Sequence, residues 1–313
     1  MSPPPAGNPE STPGPPRRTR GPQQRSAGRA ELSRRAHFAE ISPDVGVLDE
    51  AAFESALAAD PDVTLTLLVE MSRATDERLR AAARNLAGRV VLERARNGVP
   101  RASGTRALRA QRADLGGDLD LEASLDAVAG ARAEGRPVGL DELVARHWGR
   151  PRTALCVVVD SSGSMNGQRL AAAALTAAAC AWRAPDDHAV LSFAREVLVL
   201  RDMASIRPPL AVVDAVLALR GHGVTALATA LRAAGEQLSR TRAERRVVVL
   251  LSDCRATDEQ DPVPVARGLP ELVVLAPAGD SDQAAELAAW TGARWTALAG
   301  AADAPRALAQ LLG

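Results

Sequence analysis

The feature that most restricts how this 313-residue chain can fold is an uncharged run, Thr153 to Val159, that stops at Asp160-Ser161-Ser162-Gly163-Ser164. The run is rich in β-branched Val, which suits a central parallel strand covered on both faces. The residues after it cannot continue a strand, and Gln168 to Trp182 then reads as a helix. A strand, a hydroxyl-rich turn and a helix in that order place functional groups at the carboxyl edge of a sheet, where open α/β folds hold their ligands.

Asp160, Ser162 and Ser164 alternate along the turn, so their oxygens can point into one small space. Hard oxygen donors are what Mg²⁺, Mn²⁺ or Ca²⁺ prefer. The same residue types also cap helices, and the motif alone leaves both readings open. Two later segments bear on the choice. Arg220-Gly-His-Gly-Val-Thr225 leads into a helical pattern starting at Ala226, which sets the Thr225 hydroxyl at a helix entrance. A second apolar strand, Val247 to Leu251, ends in Ser252-Asp253, so another carboxylate emerges at a strand end.

With these three segments the chain resembles the von Willebrand factor A-type (VWA) domain family over roughly Pro151 to Gly313. The family's metal-ion-dependent adhesion site consists of Asp-x-Ser-x-Ser, a separate Thr and a separate Asp on three loops. By that resemblance the metal ligands are Asp160, Ser162, Ser164, Thr225 and Asp253. Two departures stand out: Gly223-Val224-Thr225 replaces the usual Gly-Gly-Thr, and Ser252-Asp253-Cys254 the usual Thr-Asp-Gly. The second matters because Gly tolerates φ > 0 and Cys does not. The resemblance implies an α/β, doubly wound, mostly parallel six-stranded sheet. It also implies Mg²⁺, with Mn²⁺ or Ca²⁺ as alternatives, and a protein partner that completes the metal's shell with an Asp or Glu, Asp253 acting through a water.

An enzyme fits the residues less well. There is no Gly-x-Ser-x-Gly elbow, and no His pairs clearly with Ser162 or Ser164. There is no phosphate-binding Gly-x-x-x-x-Gly-Lys loop and no Lys anywhere in the chain. A metal-dependent phosphohydrolase with Asp160 as nucleophile stays as an alternative, although Ser162 breaks the usual Asp-x-Asp spacing. His222, beside the threonine loop, reads as a loop-filling side chain.

Formal net charge is zero, Tyr is absent and only seven residues are Phe or Trp, which argues against a nucleic-acid or membrane-surface binder. The three cysteines have no zinc or redox spacing and read as free thiols in a reducing compartment. Cys156 and Cys180 sit in apolar patterns, whereas Cys254 is placed near solvent and the metal. The N-terminal stretch has no signal-peptide core, and the longest uncharged apolar-rich run, Leu170 to Trp182, is too short to span a bilayer. The expectation is a cytoplasmic protein.

The rest of the chain divides by composition. Residues 1–30 form a Pro/Arg-rich tail expected to be disordered. Residues 31–98 form a helical region: Asp49 precedes a helix carrying Phe53 and Leu57, and Asp60-Pro61 is a stop and restart. The stretch 64–71 is ambiguous between helix and strand, and a helix capped at Thr75-Asp-Glu turns Leu79, Ala83, Leu86 and Val90 inward. Residues 99–117 read as a linker, and 118–150 as a helical lead-in with Leu121, Leu125 and Val128 inward and a second helix over 141–147. The domain of 151–313 follows. Charge is segregated along this part of the chain: eleven Arg against three acids between Arg73 and Arg112, then eight acids against two Arg between Asp114 and Glu142.

The Asp118-Leu-Asp-Leu lead-in is similar to bacterial VWA proteins of the chelatase-like and MoxR-associated groups. That resemblance implies an adaptor for a MoxR-type AAA+ ATPase acting on a client protein such as a metalloenzyme under maturation. A subunit of a metal-chelatase-type complex is the alternative, although the chain lacks that subunit's ATPase-like half and acidic linker.

Overall fold

The computed structural model describes residues 27–98, 107–149, 152–162, 167–221 and 223–313. The expectation of disorder for the tail falls almost wholly outside these residues, and Ser164 and His222 lie outside them too.

Among the described residues the first elements are helices α1 (Arg29–Leu32), α2 (Phe38–Ile41), α3 (Glu50–Ala59), α4 (Pro61–Met71) and α5 (Glu77–Gly98). Carboxylates start the three longer ones. Asp49 accepts from the amides of Ala51 and Ala52, Asp60 from Val63, and Asp76 from Arg78 and Leu79, satisfying donors that the first helical turn leaves without partners. The ambiguous stretch 64–71 is helical. Thr64, Leu65, Leu67, Leu68, Val69 and Met71 are all buried, and a helix covered on most sides loses the one-faced pattern that would identify it.

A small unit follows, built from β1 (Ala107–Arg112), β2 (Asp118–Leu119), α6 (Leu121–Ala133) and β3 (Val144–Gly149). Its antiparallel strands lie in the order β1-β3-β2. This corrects two expectations. Residues 107–112, read as linker, pair with β3 along their whole length, and residues 144–147, read as helix, form β3 itself. Each strand is stabilised by the other's ladder, a partner more than thirty positions away that a local window does not contain. A third expectation also fails: Leu121, Leu125 and Val128 do not point inward. Ser124 and Ala131 are the buried residues of α6, and the three larger side chains are exposed.

The remaining chain alternates β4 (Thr153–Asp160), α7 (Gly167–Arg183), β5 (His188–Phe193), β6 (Val197–Arg201), α8 (Pro209–Leu217), α9 (Leu227–Ser239), β7 (Arg245–Leu251), α10 (Val263–Arg267), β8 (Leu272–Pro277), α11 (Asp282–Thr291), β9 (Arg294–Leu298) and α12 (Ala304–Leu312). The six strands lie in the order β6-β5-β4-β7-β8-β9. All neighbours are parallel except the β5–β6 hairpin at one edge. This is the doubly wound α/β sheet that the sequence predicts.

Residues of β4 alternate between two apolar layers. Leu155, Val157 and Val159 face α7, α8, α12 and the N-terminal helices, while Ala154, Cys156 and Val158 face the layer of α9, α10 and α11. Burying each large side chain contributes about 1.5–3 kcal/mol. Helix α7 lies between the sheet on one side and α4 and α5 on the other, and almost all of its residues are buried. Its run of Ala suits that position, because small side chains let helices and sheet approach closely on both sides.

Candidate metal centre

The chain leaves β4 toward β5 and leaves β7 toward β8, on opposite sides, so the strand order reverses between β4 and β7. A crevice opens at such a reversal. Asp160 is the last residue of β4, and Ser252-Asp253 follow β7 directly, so both carboxylates reach this crevice because of the topology.

Three oxygens meet there. Asp160 Oδ1 accepts from the Ser162 hydroxyl at 2.6 Å and the Ser162 amide at 2.8 Å. The Thr225 hydroxyl donates to Ser162 Oγ at 2.7 Å, which joins the strand-end turn to the loop before α9. On its other side, Asp160 Oδ2 accepts from Ser252 Oγ at 2.6 Å. Thr225 is held by its own amide, which donates to Thr257 Oγ1 at 2.7 Å. Asp253 Oδ1 accepts from the Arg255 amide at 3.0 Å, and its Oδ2 lies 4.0 Å from the guanidinium of Arg169 on α7.

Burial raises the Asp160 carboxyl above the ordinary range. The bonds from Ser162 and Ser252 oppose this shift, and the charge of Asp253 reinforces it. A carboxylate short of compensating charge among convergent hydroxyls is a place where a cation stabilises the ionised form. The donor set is all oxygen, as Mg²⁺, Mn²⁺ and Ca²⁺ require. Neighbouring oxygens around Mg²⁺ at ~2.0–2.1 Å stand roughly 3 Å apart, so the 2.6–2.7 Å cluster needs only a small expansion to take one. Among the described residues no group of three or more His, Cys, Asp or Glu gathers into a metal site. Any hard cation here must therefore rely on the hydroxyls. Asp160, Ser162 and Thr225 are brought together, Asp253 lines a shared cavity of about 490 Å³ with Asp160 and Arg169, and Ser164 is outside the described residues.

Cys254 departs from expectation. It is buried and takes φ 62°, the left-handed conformation that Gly would adopt freely. Its amide donates to Ser252 Oγ at 2.9 Å, which helps hold the strained turn. Burial, followed by the charges of Asp253 and Asp160, pushes its thiol up to about 12. Sequence reasoning missed three contributors: Ser252 as a donor to Asp160, Thr257 as the anchor of Thr225, and Arg169 as the neighbour of Asp253. Only Ser252 had a signal, since it stands where the motif usually has another hydroxyl.

The N-terminal helices reach the same end of the sheet. The backbone and side chain of Thr66 on α4 crowd Gly167, the first residue of α7, so closely that a Cβ there would meet them at 2.9 Å. Arg73 donates to the Leu217 carbonyl at 2.8 Å and to that of Leu219, capping α8 just before the threonine loop. Asp62 accepts from the Ala302 amide at 2.8 Å in the connection from β9 to α12. One short stretch of chain thus braces three connections around the site.

Fold and strand-end site together define a VWA domain protein, a class that generally serves as an interaction module rather than an enzyme. The model of the family described as VWA domain containing CoxE-like protein matches residues 89–277, and the chain belongs to that family. No curated protein matches the chain. Among solved structures, an aerotolerance-related membrane protein from Bacteroides fragilis is 17% identical, covering 51% of this chain and 98% of its own, with a TM-score of 0.42. A von Willebrand factor type A structure from Catenulispora acidiphila is 16% identical, covering 53% of this chain and 43% of its own, with a TM-score of 0.41. Among the described residues no helix is long and apolar enough to cross a membrane.

Proposed function

We propose that this chain is a non-enzymatic cytoplasmic adaptor whose Asp160, Ser162, Ser164, Thr225 and Asp253 hold Mg²⁺ and present it to a carboxylate of a partner protein. The observation that carries the reading is the convergence of the Asp160, Ser162 and Thr225 oxygens within 2.6–2.7 Å contacts from two loops, with Asp253 on the same cavity. When bound, the cation supplies an electrophilic centre with a coordination position left for an outside oxygen. The hydrogen bonds from Ser252 to Asp160 and from the Thr225 amide to Thr257 support a direct-ligation role for Asp160 and Thr225. Arg169 partly neutralises Asp253, leaving the site with less negative charge than two free carboxylates would give.

The partner class follows from family resemblance: an AAA+ ATPase of the MoxR type, with the adaptor coupling its remodelling work to a client protein. The test is calorimetry with Mg²⁺ on the wild type and Asp160→Ala, followed by capture of a purified MoxR-type AAA+ ATPase with and without EDTA. Binding that is lost in both the variant and the chelated sample is the expected result. Undiminished capture in both would overturn the proposal.

A further inference from the structure

Arg169 stands where local rules do not favour a cation. It lies in the first turn of α7, a turn with no acidic residue, and the positive end of a helix dipole opposes a guanidinium there. A local rule broken beside a cluster of polar groups is what a functional site shows. The guanidinium lies 4.0 Å from Asp253 Oδ2, and its side chain is 38% exposed. That contact is too long for a hydrogen bond, so Arg169 is held near the Asp253 carboxylate without being locked to it. Both residues line, with Asp160, the cavity of about 490 Å³, which has room for an incoming side chain.

The charges around this cavity decide what can enter it. Its titratable walls are Asp160, Arg169, Asp253 and Asp280, and Asp280 is paired with Arg255 at 2.5 Å. Two acids at its margins are engaged as well. Glu70, against Gly167, pairs with Arg35 at 2.8 Å, and Asp62, against Gly300, accepts from the Ala302 amide at 2.8 Å. With a divalent cation on Asp160 and Asp253 the two carboxylates are balanced, and the charge of Arg169 is left over. One surplus positive charge on a planar fork of donors matches one carboxylate.

We infer that Arg169 is a specificity-determining residue of the site: its guanidinium takes the second oxygen of the partner carboxylate whose first oxygen completes the metal's shell. This rests on the metal reading proposed above and adds the residue by which an acid is told from its neutral counterparts. An Asn or Gln amide can offer the cation an oxygen, but it leaves the charge of Arg169 unmatched. A phosphate brings about 1.5–2 negative charges against one surplus positive charge, so the carboxylate is the closer match. Removing Arg169 has two effects of opposite sign. It takes a like charge away from the cation, so Mg²⁺ binding holds or strengthens, and it takes a partner away from the carboxylate, so partner binding weakens. A damaged site would lose both.

The experiment uses the full chain and three capped tripeptides, Gly-Glu-Gly, Gly-Gln-Gly and Gly-phosphoserine-Gly. Calorimetry reads Mg²⁺ affinity, and NMR titration in saturating Mg²⁺ reads peptide affinity. The expected result is that the wild type binds Mg²⁺ and prefers the Glu peptide to the other two. Arg169→Gln should weaken the Glu peptide by about 5–10-fold, leave the Gln peptide nearly unchanged and bind Mg²⁺ at least as tightly as the wild type. Arg169→Lys, which keeps the charge and loses the fork, should recover part of the Glu-peptide affinity. Melting curves on each variant show that folding is intact. No Mg²⁺ binding by the wild type would overturn the metal reading and this assignment together. Where Mg²⁺ does bind, the assignment of Arg169 alone is overturned by equal Glu-peptide affinity in the wild type and Arg169→Gln, by joint loss of Mg²⁺ and peptide in that variant, or by a wild-type preference for the Gln or phosphoserine peptide.

Discussion

The N-terminal helices and the 107–149 unit both lie outside the six-stranded sheet, and they spend their apolar residues in opposite ways. Helices α3, α4 and α5 bury Phe53, Leu68 and Leu79 in the same core as β4 and α7, and Arg73 and Asp62 tie them to loops at the strand ends. The small unit packs chiefly on itself and leaves Leu121, Leu125 and Trp148 in solvent. Buried leucines act on stability, whereas exposed ones are available for association.

The sharpest way to break this contrast is a pair of truncations. Leu68→Ala, in a closely packed core, should cost about 2–5 kcal/mol of unfolding free energy, and Leu125→Ala should stay within ~0.5 kcal/mol. Urea denaturation reads both, and similar losses would mean that α6 is covered within the chain after all.

Acidification should separate the regions next. Burial, reinforced by the charge of Arg201, pushes His188 at the start of β5 down to about 4 from its ordinary 6.5. The unfolded chain therefore binds the proton first, and stability is lost as pH falls from about 6.5 to 4, by at most ~3 kcal/mol. Asp120, the cap of α6, shifts the other way through its bond from the Ala123 amide and its pairing with Arg146. Its contribution is present above the ordinary 3.8 and is lost only as pH falls through the lowered folded value. Hydrogen exchange between pH 6.5 and 4 should show β5 loosening while the α6 cap holds.

Arg73→Ala removes a guanidinium from two carbonyls and should cost roughly 1.5–3 kcal/mol. Faster amide exchange across 219–225 would locate the effect at the threonine loop, and an exchange pattern confined to α4 and α5 would deny the brace. The smallest effect concerns Cys254. Buried and raised to about 12, it should resist thiol reagents at pH 8 in the native protein and react once denaturant unfolds the main sheet.

Much of the site was legible because its residues stand at strand ends. Val-rich runs that stop at Asp160 and at Ser252-Asp253 announce both the sheet and the crevice, since uncharged β-branched strands need cover on both faces. The unusual turn at Cys254 was also readable, as a Cys standing where Gly is expected. Arg73, Thr257 and Asp62 were not, because their partners lie 144, 32 and 240 positions away and each bond is made by packing rather than by spacing. The small unit was misread for a related reason: a leucine stripe at helical spacing states that a helix is amphipathic, not that anything in the same chain covers it.

By itself the sequence determined the doubly wound sheet, its order of elements and the oxygen-bearing residues at two strand ends, because those follow from local polarity and periodicity. Only the tertiary structure decided which hydroxyls meet Asp160, which helices press on α7 and which apolar stripe stays uncovered. Those outcomes depend on long-range packing, where burial of one surface against another selects among faces that local pattern leaves equivalent.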